Sequence, residues 1–64
     1  PILPEDIKDF LRDLARGVEE LVNQGKAVEA LAMIDEQALE ADQRVWLASQ
    51  MSSTVRSALK KAKL

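Results

Sequence analysis

The sequence predicts an all-α fold, a compact three-helix bundle, on three observations. Apolar residues return every three or four positions along nearly the whole chain. No segment alternates apolar and polar residues as a half-buried strand does. The phase of the pattern breaks twice, at Gly25 and again across residues 39–42, which leaves three helical segments. One domain over residues 1–64 is expected, because a chain of 64 residues without cysteine has neither the length for two cores nor the thiols for a disulfide framework or a thiolate metal site.

Helix 1 is expected over residues 4–24. Ile7, Phe10, Leu11, Leu14, Val18, Leu21 and Val22 fall on one stripe about 120° wide at 100° per residue. Pro4 suits the first helical position, Glu5 and Asp6 complement the positive end of the helix dipole, and Gly25 is placed to take the left-handed conformation that ends the helix. Arg12 lies opposite the stripe, so its truncation is expected to matter little, whereas Leu14 sits at the stripe's centre.

Helix 2 is expected over residues 26–39, with Ala27, Val28, Leu31, Ile34 and Ala38 facing inward and Glu29, Met33 and Glu36 outward. So short a connection at Gly25 makes helices 1 and 2 antiparallel neighbours. Asp42 is the expected N-cap of helix 3, residues 42–62, which packs across that pair through Ala48, Met51, Val55, Ala58, Leu59 and Ala62, with Leu47 and Val45 at the margins. Side chains in the run Ser52, Ser53, Thr54 compete for backbone hydrogen bonds and mark a candidate break in helix 3.

Charge is segregated along the chain. Residues 1–42 carry all eleven acids against four cations, a net −7, while residues 43–64 carry Arg44, Arg56, Lys60, Lys61 and Lys63 with no acid, a net +5. No apolar run approaches the roughly 18 residues of a membrane span, and Ile2 with Leu3 is too short for a signal-peptide core. A cytoplasmic protein is expected. Pro1 fits either removal of an initiator Met or excision from a longer chain.

Catalysis is not expected, because the chain has no His, Cys or Tyr and so lacks the commonest general base, thiol nucleophile and phenolic acid. The adjacent acids Glu19 with Glu20 and Asp35 with Glu36 diverge by about 100° on a helix and do not converge on a substrate. Gly25-Lys26 is no phosphate loop, since Glu20 and Ala27 stand where that motif needs a glycine and a hydroxyl. No cofactor, metal or small-molecule substrate is implied.

Trp46 draws attention because it stands about 180° from Val55 on a continuous helix 3, on a face shared with Gln50, Ser53, Ser57 and Lys60. With Met33 on the outside of helix 2, these residues form a candidate partner-binding set, since a lone exposed Trp often marks an interface. The alternative is that Trp46 folds back over the corner between helices 2 and 3. Asp35, about 40° from Leu31, and Arg44, about 20° from Val55, intrude on the two apolar stripes and are candidates for an ion pair across that corner.

Residues 25–42 resemble the second helix of a tetratricopeptide repeat, with Gly25, Ala30 and Ile34 at that motif's small and large positions. The match departs from the motif at Gly17-Val18, ahead of this segment, and at Ala38-Leu39 within it. The resemblance implies peptide binding.

The function expected is a small helical protein–protein interaction or homodimerisation module. A chain this short buries only about 60% of its extended surface, so association adds to a marginal core. The alternative is a nucleic-acid-binding regulator that uses the basic third helix, with Gln43 and Arg44 reading bases. Glu40 and Asp42 at the same end would repel phosphate.

Overall fold

A computed structural model describes residues 3–63 as four helices with no strand among them: α1 (Glu5–Asn23), α2 (Ala27–Glu36), α3 (Ala41–Ser49) and α4 (Ser53–Ala62). The expected all-helical architecture is present, but the third predicted helix is two helices. The Cα radius of gyration is 11.2 Å, close to the roughly 11 Å of a compact domain of this size.

Pro4 is the N-cap of α1, with extended backbone at ψ 153, one residue earlier than its expected place at the first helical position. Its carbonyl accepts the first helical bond, from the Lys8 N–H at 3.0 Å. Gly25 ends α1 as predicted, at φ 78. The Gly25 N–H donates to Val22 O at 3.0 Å and the Lys26 N–H to Leu21 O at 2.8 Å, the paired bonds of a Schellman motif. Two residues later α2 begins and returns along α1.

Met33 lies against α1, contrary to its expected outward position: a Cβ added to Gly17 would stand 3.3 Å from the Met33 Cε. Glycine in mid-helix here is the gap that admits the methionine. Ala38, expected on the inward stripe of helix 2, instead ends α2 in the left-handed conformation at φ 49. It is exposed, while the following Leu39 packs against the core. The cost of a left-handed alanine, about 1–2 kcal/mol, is set against the burial of that leucine.

The N-cap of α3 is Glu40, two residues before the expected Asp42. Its N–H donates to the Gln43 Oε1 at 2.9 Å, half of a capping box, and Asp42 Oδ1 accepts the Gln43 N–H at 2.9 Å. Asp42 thus stabilises the helix start from inside the first turn.

The break falls at Gln50–Ser52, at the near edge of the serine run. Ser49 Oγ donates to the Trp46 carbonyl at 2.5 Å, while the Ser52 hydroxyl accepts the Val55 N–H at 3.2 Å as the N-cap of α4. Met51, in the connection, is buried.

One apolar cluster holds the helices together: Leu11, Leu14, Ala15 and Val18 of α1, Ala30 of α2, Leu47 of α3, Met51, and Val55 and Leu59 of α4. Leu47, expected at a margin, is only 2% exposed and sits at the centre. The turn at residues 50–52 re-aims α3 independently of α4, which a continuous helix would not permit. Phe10 and Val28, expected inside, are 45% and 65% exposed. At about 1.5 Å per residue, α2 runs out one turn beyond Met33, short of the level of Phe10, and Val28 lies about 160° from the buried Ala30 around the α2 axis. Among the described residues no helix is long and apolar enough to cross a membrane.

Candidate interaction surface

The cations of α1 are paired locally, with acids of their own helix. Lys8, itself partly buried, pairs with Glu5 at 3.5 Å, and Arg12 with Asp9 at 2.7 Å and Arg16 with Asp13 pair on the exposed face of α1, each three residues apart. Exposed pairs of this kind are worth only about 0.3–0.5 kcal/mol each. Their consequence for the surface is greater. No ion pair among the described residues joins α4 to α1 or α2, although α4 packs against both. Arg44, Arg56, Lys60, Lys61 and Lys63 therefore stand without a carboxylate partner among the described residues, as do Glu29, Asp35 and Glu36 of α2.

Where α2, α3 and α4 meet, Leu31, Ala48, Met51 and Leu59 floor an open groove of about 310 Å³ whose other lining residues are Arg56, Lys60 and Lys63. Arg56 and Lys60 lie one turn apart on α4, and Lys63 caps its C-terminus. The Arg56 guanidinium donates to the Ala48 carbonyl at 3.3 Å, which anchors one cation at the rim on a carbonyl that also accepts the Met51 N–H at 3.1 Å. The arrangement is an apolar floor under three cations. It suits a ligand that presents apolar groups flanked by negative charge.

The residues singled out from the sequence are dispersed by the break between α3 and α4. Gln50 lines a depression with Arg12, Ala15, Arg16 and Glu19 of α1. Ser53 and Ser57 line another with Thr54, Ala58 and Lys61. Lys60 alone reaches the basic groove. Trp46 is half-buried against the core, and its ring lies under two α1 cations, with the Lys8 Nζ at 5.9 Å and the Arg12 Cζ at 5.3 Å from its centroid. The indole thus lies against α1 side chains, and Arg12 is a packing residue as well as a charge. Asp35 and Arg44 are both exposed and form no ion pair with each other or with another described residue.

Arg56, Lys63 and the apolar floor were missed as a site. Their signal in the sequence was the acid-free stretch after residue 42, but Leu31 and Ala48 reach the groove from two other helices. Among the described residues no cluster of three or more His, Cys, Asp or Glu side chains has the geometry to hold a metal ion. No protein-family model matches the chain, and comparison with curated proteins and with solved structures returns no match. The tetratricopeptide resemblance thus gains no support from them.

Proposed function

We propose that this chain is a non-enzymatic protein–protein interaction module that takes an apolar, acid-flanked segment of a partner into the groove between α2, α3 and α4. One observation carries the reading: Arg56, Lys60 and Lys63, all from α4 and its C-cap, line an apolar floor, and no carboxylate among the described residues forms an ion pair with them. Charge of one sign around apolar surface favours encounter with the opposite sign, and burial of the floor supplies affinity. A cytoplasmic setting belongs to the same proposal, as does the absence of catalysis in a chain without His, Cys or Tyr.

The test is a titration followed by NMR shifts of Leu31, Ala48, Met51 and Leu59. The probe is a synthetic helix-forming peptide with Leu at every third and fourth position and Glu elsewhere. Saturable shifts at these residues, absent with a peptide carrying Lys for Glu, are expected. Indifference to both peptides overturns the proposal. So does tighter binding of a mixed-sequence DNA duplex with a steep salt dependence, which would favour the nucleic-acid reading of the basic helix.

A further inference from the structure

We infer that the groove's occupant is a second copy of this chain, seated through the outer face of its α2; the inference rests on the groove being a protein-binding site. Around the α2 axis, with the buried Ala30 inward, Val28 and Ala32 point almost directly away from the core. Both are exposed. Asp35 flanks them on one side, and Glu29 and Glu36 on the other, all three exposed and without a cation partner among the described residues. An apolar strip edged by three acids faces outward on the same chain that carries an apolar floor edged by three cations.

The two surfaces adjoin. Leu31, on the groove floor, lies only about 40–60° around α2 from Asp35 and Val28. A patch containing both a knob and its complementary hole is what a twofold dimer requires, because the rotation that places the acidic face of one copy in the groove of the other places the second face in the first groove. Val28 and Ala32 then cover Leu31, Met51 and Leu59 of the partner copy. Asp35, Glu29 and Glu36 meet Arg56, Lys60 and Lys63. Trp46 plays no part in this contact, since its ring is already held under Lys8 and Arg12.

Sedimentation equilibrium across protein concentration tests the inference with four exposed-site proteins. The wild type is expected to associate reversibly to a dimer. Val28→Ser removes the central apolar contact, worth roughly tenfold in affinity, and because the rotation repeats it the loss is about a hundredfold. The double variants Lys60→Glu/Lys63→Glu and Asp35→Lys/Glu36→Lys each face like charge against like and are expected to be monomeric. Mixed together they restore both contacts and form a heterodimer, a rescue that a purely structural role of these residues would not produce. Circular dichroism of each variant checks that it folds.

A wild type that stays monomeric at high micromolar concentration overturns the self-association. If it still binds the acidic peptide in the groove, the interaction module stands with a different partner; if it binds neither, both fall. A dimer indifferent to Val28→Ser, or double variants that fail to pair, places the contact elsewhere and overturns the inference.

Discussion

Gly17→Ala isolates the contact on which the α1–α2 hairpin is built. Glycine in the interior of a helix is less favourable than alanine by about 0.8–1.0 kcal/mol, through the larger entropy of its unfolded state. Against this stands one close approach: the new Cβ meets the Met33 Cε at 3.3 Å. The methionine must yield by a few tenths of an ångström, and three rotatable bonds ending in a half-buried methyl allow it at a fraction of the ~0.5–1.5 kcal/mol of a strained rotamer. The net effect expected is a stabilisation of about 0.5 kcal/mol, or ~2–4 °C in Tm for a domain of this size. Urea denaturation read by far-UV circular dichroism and by Trp46 fluorescence measures it. In a Met33→Ala background the close contact is gone, and the same substitution is expected to stabilise by its full ~1 kcal/mol, so the cycle reports a coupling of about half that amount. A destabilised Gly17→Ala protein, or a gain identical in both backgrounds, would refute the reasoning.

Further outcomes follow from the same geometry. Ala38→Gly relieves a left-handed alanine and is expected to stabilise by up to about 1 kcal/mol, while Gly25→Ala imposes the same strain at φ 78 and should cost a similar amount, both read as midpoints of urea denaturation. Ser52→Ala removes the hydroxyl that accepts the Val55 N–H, with an expected loss of about 1 kcal/mol and faster amide exchange in the first turn of α4. Leu14→Ala opens the cluster beneath α1 and is expected to cost about 2–5 kcal/mol, which loss of cooperative thermal unfolding would register. Arg12→Ala, which helix periodicity alone predicts to be silent, is expected to cost about 0.5–1 kcal/mol and to shift Trp46 emission, because the guanidinium lies over the indole.

The residues of α1 carried their own instructions. The stripe through Leu11, Leu14 and Val18, the acids at its start and Gly25 at its end are local features, and each acts in the folded chain much as it reads in the sequence. The same holds for the division of charge at residue 42, which depends on composition alone. Boundaries elsewhere were ambiguous because one residue type serves two purposes. Ser52 weakens a helix that continues through it and caps one that starts after it, and only the capture of the Val55 N–H decides between them. Ala38 offers no sign that it will take φ 49, since alanine favours the helix it terminates.

The candidate surface required the tertiary structure for a related reason. Periodicity assigns each side chain an angle about its own helix, but it says nothing of how far the neighbouring helix reaches or which way it turns. The short α2 leaves Phe10 uncovered, and the gap at Gly17 draws Met33 inward. The break at Gln50–Ser52 separates Gln50 from Ser53 and sends Leu47 to the centre of the core. Lys60 could be singled out from its helix, but the groove it lines needs Leu31 from α2 and Ala48 from α3. Those residues are brought together by packing between segments far apart in the chain, where burial of apolar area, and not local propensity, sets the arrangement.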